Sequence, residues 1–222
     1  MLNFDAVLVP QGAEYQAVAR ACQGYPGPSI IAVPAGAALG PRLETLLSGQ
    51  SWQRLLIMGL CGSLDPRFGL GSVVIYQACI GLDGQTETCD PDLRLELGRV
   101  LPNAEVLALT SARVVSLARE KRQYHAQFGA QVVDMEGQVA LKVLTRHGIA
   151  VAMVRVVSDD SEHDLPDLNA AFTPQGGLQP LALAQALLKS PMAGLRLVHG
   201  SLQALRVLAQ TARIILGVEL SR

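Results

Sequence analysis

The sequence predicts a three-layer α/β/α sandwich with a central mixed sheet, in a single domain over residues 1–222. Two observations predict this fold class. Apolar runs of strand length alternate with segments of helical periodicity, and neither an internal repeat nor a linker interrupts them. Half of the 222 residues are hydrophobic and 17% are charged, so the chain can bury a large core.

Seven apolar runs are predicted to form strands, because each is bounded by glycine, proline or polar residues. They cover residues 6–9, 29–33, 55–58, 72–80, 104–109, 131–134 and 149–157. The third run leads into a loop of small residues, Gly59 to Ser63. The last run is a long apolar run, which is typical of a buried central strand. Residues 81–92 are polar and predicted to be irregular.

Seven helices are predicted from the spacing of apolar residues and from helix-stop signals such as Gly148. They cover residues 14–21, 42–47, 93–100, 118–128, 136–147, 181–188 and 195–216. Lys121 is expected to face solvent from the charged fourth helix. The polar segment 158–177 is predicted to be a loop that could act as a lid. Residues of the last helix, including Leu202 and Leu208, are predicted to pack on the sheet; a dimer face or a membrane-surface face is the alternative.

Composition excludes several classes of function. The net charge of −1 and the 4% of aromatic residues argue against a nucleic-acid partner. The four cysteines and four histidines have no metal-ligand spacing, so we expect no metal, and free thiols fit a reducing cytoplasm. The N-terminal residues do not resemble a signal peptide, and no uncharged apolar stretch reaches 18 residues, so we expect a cytoplasmic protein without a membrane span.

Several carboxylates follow predicted strands directly. Asp134 and Asp159 each come after an apolar run, and an unpaired charge in a low-dielectric site is costly. The purely structural interpretation is that each aspartate caps the helix that follows it. Glu14, Glu136 and the small-residue loop also follow strands, and ligands of open α/β sheets bind at the carboxyl ends of strands. We therefore predict one cleft that handles a sugar and a proton.

Three segments resemble motifs of a known family. Residues 59–64 (Gly-Leu-Cys-Gly-Ser-Leu) with residues 71–75 resemble the glycine loop and following strand of the purine nucleoside phosphorylase and methylthioadenosine/S-adenosylhomocysteine nucleosidase superfamily. Residues 134–136 (Asp-Met-Glu) resemble its ribose motif, and residues 155–159 (Arg-Val-Val-Ser-Asp) its Arg-x-x-Ser-Asp motif. Leu165-Pro166, Gly176-Gly177 and Ser190-Pro191 are similar to features of the hopanoid-associated phosphorylase branch.

The resemblance implies a role for each matching residue. Asp159 would protonate or hydrogen-bond the purine N7, Glu136 would hold the ribose hydroxyls above Met135, and Glu14 would activate water as in the nucleosidases. Contacts with substrate are also expected from the neighbouring positions Gly62, Val115 and Ser158. The implied protein is a homo-oligomer that binds a small-molecule nucleoside and uses no cofactor, with phosphate as a possible co-substrate.

The implied reaction cleaves the N-glycosidic bond of an adenine nucleoside with a 5′-substituent, releases adenine, and belongs to hopanoid biosynthesis. Such a bond breaks through an oxocarbenium-like sugar, and the departing base needs a proton. Phosphorolysis and hydrolysis both stay open, because Ile57 and Leu60 occupy the positions at which the family carries its phosphate-binding Arg and Ser. Arg42, Arg67 and Arg113 are expected to be surface charges. The alternatives are a methylthioadenosine/S-adenosylhomocysteine nucleosidase and a non-catalytic nucleoside-binding module.

Overall fold

The computed structural model describes residues 2–102, 104–168 and 179–218. Within these ranges the strands are β1 (Ala6–Pro10), β2 (Ser29–Val33), β3 (Arg54–Ser63), β4 (Val73–Gly81), β5 (Thr86–Thr88), β6 (Glu105–Thr110), β7 (Val132–Asp134) and β8 (Ala150–Asp159). The α-helices are α1 (Ala13–Ala21), α2 (Leu39–Leu47), α3 (Pro91–Gly98), α4 (Ala118–Phe128), α5 (Gly137–Arg146), α6 (Pro180–Lys189) and α7 (Pro191–Leu216). A short 3-10 turn, Gly36–Ala38, precedes α2.

The strands form one mixed sheet, as predicted. Its order is β2-β1-β3-β7-β6-β4-β5, and β8 lies between β3 and β4. Strand β8 runs parallel to β3 and antiparallel to β4. Because β7 also pairs with both β3 and β6, the strands β3, β8, β4, β6 and β7 close into a ring. Residues 151–157 of β8 are buried, which confirms the prediction of a central strand.

Helices cover both faces of the sheet, and the alternation of side chains along the strands explains why. In β1, Ala6 and Leu8 face a core that includes residues of α2 and α5. Val7 and Val9 point to the opposite face, where residues of α1 and α7 pack. Each strand near the centre is therefore apolar on both faces, and the fold class predicted from the alternating pattern is confirmed.

Several predicted boundaries are wrong. The small-residue segment predicted as a loop continues strand β3 to Ser63, with a bulge between Cys61 and Gly62 where the strand pairs with β8. Glycines inside a strand are typical of a place where another group approaches the backbone closely. Strand β5 lies in the segment predicted to be irregular, and helix α7 begins at Pro191 instead of residue 195.

The last helix packs on the sheet along its second half. Leu208, Ala212 and Ile215 are buried there, as predicted, whereas Leu202 is exposed. In the described part of the chain, no helix is long and apolar enough to cross a membrane. The predicted lid is only partly described: residues 160–168 have no regular secondary structure, and Gly176-Gly177 lies outside the described residues.

Candidate active site

A cavity of about 200 Å³ opens where β1, β3, β7 and β8 end. Its lining includes all of the residues that the sequence predicted as catalytic or substrate-binding: Glu14, Gly62, Val115, Met135, Glu136, Ser158 and Asp159. The structure therefore brings together residues separated by up to 145 positions in the chain. The roles assigned to the individual residues stay predictions, because the cavity shows only that these residues lie close together.

Glu14 enters the cavity from the first turn of α1. One carboxylate oxygen accepts the backbone N–H of Leu60 at 2.6 Å. Burial raises the pKa of Glu14 from 4.5 to about 7, with Arg155 opposing the shift and Glu136 adding to it. A carboxyl group with a pKa near neutrality exchanges a proton readily at the pH of most cells, which is what a general base requires.

Glu136 follows β7 and immediately precedes α5. Its Oε1 accepts the backbone N–H of Gly36 at 2.9 Å, and its Oε2 lies 3.4 Å from Nη2 of Arg155. Burial raises the pKa of Glu136 and the nearby Asp134 adds to this, although Arg155 acts in the opposite direction. The side chain is thus held at both oxygens while it lines the cavity.

Arg155 and Asp134 form a buried support beneath this carboxylate. The Arg155 side chain is fully buried, with Nη2 at 3.4 Å from Asp134 Oδ2. Burial lowers the pKa of Arg155, but Asp134 and Glu136 outweigh it and hold the pKa above its usual value. Asp134 Oδ1 accepts the Thr110 hydroxyl at 3.0 Å and the Gly137 N–H at 3.1 Å. Asp134 thus binds the first N–H of α5, although the N-cap position of this helix is occupied by Glu136.

Asp159 ends β8 and has a partner that the sequence did not predict. Lys121 of α4 donates to Asp159 Oδ2 and also to the carbonyl of Asp160, at 2.5 Å. The Lys121 side chain is 0% exposed, so the prediction that it faces solvent is wrong. Ser158 Oγ lies 3.0 Å from Asp159 Oδ1 and 3.2 Å from the carbonyl oxygen of Cys61.

The burial of Lys121 is difficult to recognise in the sequence because the residue lies in a charged helix. Glu120 and Arg122 flank it, and a run of charges is usually a solvated face. The available signal was the small residue Ala118 three positions earlier: both residues are buried on the same side of α4. Arg155 was recognised only as part of a motif, and its role as the charge that holds two carboxylates needed the three-dimensional arrangement.

Two glycines of β3 permit the close approach of these charged groups. A Cβ at Gly59 would lie 2.1 Å from Arg155 Nη1 and 2.9 Å from Glu14 Oε1. A Cβ at Gly62 would lie 2.9 Å from Asp159 Oδ2. The small residues of this segment are therefore explained by crowding at the site, which a turn prediction could not reveal.

Ile57 and Leu60, the positions that match the family's phosphate-binding residues, make other contacts. Ile57 is buried in the core, and the backbone N–H of Leu60 already donates to Glu14. Arg67 is exposed and pairs with Asp65 at 2.6 Å. Arg113, however, lines the cavity with a half-exposed side chain that pairs with Glu120, so its description as a surface charge is incomplete.

The chain is similar to known proteins both in fold and in sequence family. The fold is the mixed α/β fold of nucleoside phosphorylases and nucleosidases. Residues 18–189 match the family model described as the phosphorylase superfamily, and the chain belongs to this family. Membership confirms the resemblance at the level of the superfamily and the prediction that the chain is an enzyme. It does not address the hopanoid-associated branch.

Solved structures match over nearly the whole chain. A Helicobacter pylori methylthioadenosine/S-adenosylhomocysteine nucleosidase variant with 5′-methylthioadenosine bound is 12% identical, with a TM-score of 0.75 over 98% of this chain and 99% of that one. The Helicobacter pylori futalosine hydrolase is 13% identical, with a TM-score of 0.74 over 96% of each chain. The Streptococcus pyogenes S-adenosylhomocysteine nucleosidase is 15% identical, with a TM-score of 0.72 over 99% of each chain. No curated protein matches the chain at a significant level.

Proposed function

We propose that this enzyme cleaves the N-glycosidic bond of a purine nucleoside with water as the nucleophile. The observation that carries the proposal is one cavity whose lining includes, besides Asp134, the three carboxyl groups of Glu14, Glu136 and Asp159, and burial raises the pKa of Glu14 to about 7. Hydrolysis of such a bond needs a base for water, a group that stabilises the cationic sugar and a donor to the leaving base. Each of the three carboxyl groups can take one of these roles.

Different carboxyl groups would bind the sugar and the base. Glu136 would accept hydrogen bonds from the ribose hydroxyls, since its oxygens are acceptors and Arg155 holds it in place. As positive charge develops on the sugar, this carboxylate stabilises it. Asp159 would share a proton with N7 of the purine. Glu14 would remove a proton from the water that attacks C1′.

Water is favoured over phosphate as the nucleophile because the backbone N–H of Leu60 already has a partner. A phosphate needs backbone N–H groups or cationic side chains. The Leu60 N–H is already bound by Glu14, whose carboxylate would also repel an anion. Phosphorolysis is a second candidate because Arg113 lines the cavity and would supply one cation on release from Glu120.

The 5′-substituent is proposed to be apolar. Leu165, Leu168 and Leu197 line the cavity, and Leu197 comes from the first half of α7. The resemblance to the hopanoid-associated phosphorylases points the same way, since it implies adenine release from an adenosyl compound with a large apolar 5′-group. Methylthioadenosine, a substrate with a small apolar group, is the main alternative.

The test is release of purine base, measured by chromatography. The substrates are adenosine, methylthioadenosine, S-adenosylhomocysteine, futalosine and an adenosyl compound with a long apolar 5′-group, each with and without phosphate. We expect base release that does not depend on phosphate and that is fastest with an apolar 5′-group. Release only with phosphate would establish phosphorolysis, and binding without any release would indicate a non-catalytic module.

A further inference from the structure

Lys121 is a buried charge that does not line the cavity. Its Nζ contacts two groups at the end of β8, the carboxylate of Asp159 and the carbonyl oxygen of Asp160. Asp159, in contrast, does line the cavity. Asp159 therefore connects Lys121 to the cavity.

Stability alone is a weak reason for such a pair. Removing an ammonium and a carboxylate from water costs several kcal/mol per ion, and replacing a buried ion pair with apolar residues is often neutral or stabilising. The segment after β8 is already tied to the start of α4 and to the residues just before it by two other contacts: Ala118 N–H donates to Asp164 Oδ1 at 2.7 Å, and Leu165 N–H donates to the Ser116 carbonyl at 2.8 Å.

Other charged groups around the pair have partners of their own. Asp160 faces His163, whose Nδ1 lies 3.0 Å from its Oδ1. Glu120, next to Lys121 on α4, pairs with Arg113. Asp164 accepts the first N–H of α4. Lys121 is thus the cation that contacts Asp159 among the described residues.

We infer that Lys121 is a positioning residue for the proposed reaction. It orients Asp159 and supplies, through Asp159, the proton that leaves with the purine base. This inference rests on the proposed function. As the electron pair of the C1′–N9 bond moves to the base, one proton passes from Nζ to the Asp159 carboxylate and one passes from that carboxyl group to N7. Lys121 is left as a neutral amine. The attacking water loses a proton to Glu14, and the amine is reprotonated from solvent after the products depart.

The experiment compares two substitutions of Lys121 that distinguish the loss of its proton from the loss of its hydrogen bonds. Lys121→Gln can still donate hydrogen bonds to Asp159 and Asp160 but has no ionisable proton, and Lys121→Met removes the polar contacts as well. Each is combined with Asp159→Asn. Lys142, exposed on α5, provides matched control substitutions to Gln and Met. Base release is measured as kcat/KM, and thermal unfolding reports whether each variant is folded.

The inference predicts that Lys121→Gln and Lys121→Met each lower kcat/KM by roughly 10²-fold, within the ~10²–10⁴-fold contribution of a general acid. In the Asp159→Asn background the same substitutions lower it by less than about twofold further, because the two residues act in series. The loss falls on kcat and not on KM in both variants, since Lys121 does not line the cavity.

Two results would overturn the inference while leaving the proposed function intact: full activity in Lys121→Gln, or losses that multiply in the double variants. If Lys121→Met does not fold, Lys121→Gln decides the question, because glutamine can still donate hydrogen bonds to Asp159 and Asp160. A wild-type enzyme that releases no base from any nucleoside defeats the proposed function, and the role of Lys121 with it.

Discussion

Glu14→Gln separates the chemistry of the proposed base from its effect on stability. Glutamine has the same shape and keeps an oxygen that can accept the Leu60 N–H, but it cannot ionise. Burial raises the pKa of Glu14 from 4.5 to about 7 in the folded chain. The folded state therefore binds a proton more tightly than the unfolded state does, and ionisation above pH 4.5 opposes folding.

The size of this opposition follows from the shift. The difference between 7 and 4.5 is 2.5 pKa units. At about 1.4 kcal/mol per unit, this is a destabilisation of about 3 kcal/mol that is absent at low pH, grows as pH rises from about 4.5 to 7, and is complete above about pH 7. Glu14→Gln removes it, so we expect the variant to be more stable than the wild type by about 2–3 kcal/mol near pH 8, and by less than about 1 kcal/mol near pH 5.

Urea unfolding of both proteins at the two pH values measures this difference, and Glu162→Gln, at an exposed position, is the control. The same variant is expected to lose hydrolysis by about 10²–10⁴-fold, because no base activates water. In the wild type the rate should rise with pH through about 7, since the carboxylate is the active form. A Glu14→Gln variant that is no more stable than the wild type near pH 8 would refute the reasoning.

Three further substitutions test other parts of the site. Glu136→Gln removes the carboxylate that stabilises the cationic sugar and should lower kcat by about 10²–10³-fold without unfolding the chain, as measured by steady-state kinetics and circular dichroism. Gly59→Ala places a Cβ 2.1 Å from Arg155 Nη1 and should destabilise the chain by about 3 kcal/mol or more, whereas Gly69→Ala, with no atom within 4 Å, should not. Leu197→Ala should raise KM by roughly tenfold for a nucleoside with a long apolar 5′-group and leave adenosine unaffected. An equal effect on both nucleosides would contradict an apolar 5′-pocket.

Patterns that are local in the sequence predicted the fold well. The alternation of apolar runs and helical segments was sufficient for the mixed sheet with helices on both faces, because the strands near the centre are buried on two sides. The boundaries at residues 59–63 could not be predicted in the same way. Glycines usually indicate a turn, but here Gly59 and Gly62 stay in a strand because Arg155 and Asp159 occupy the space above them.

The site was predictable as far as its residues follow strands or match motifs. Glu14, Glu136 and Asp159 meet in one cavity for that reason. Lys121 was not predicted because, apart from the weak signal of Ala118, its burial depends on how the end of β8 packs on α4, a contact between residues 38 positions apart. Arg113 was misjudged for a similar reason: its place at the cavity depends on the course of the chain between β6 and α4.

The central claim is that this cavity cleaves a nucleoside with water. The most direct test is the mass of the sugar product formed by the wild-type enzyme from methylthioadenosine in phosphate buffer. We expect free adenine and free 5-methylthioribose, in the same amounts as in a buffer without phosphate. A ribosyl 1-phosphate product would contradict water as the nucleophile, and the absence of any sugar product from every nucleoside would contradict the claim as a whole.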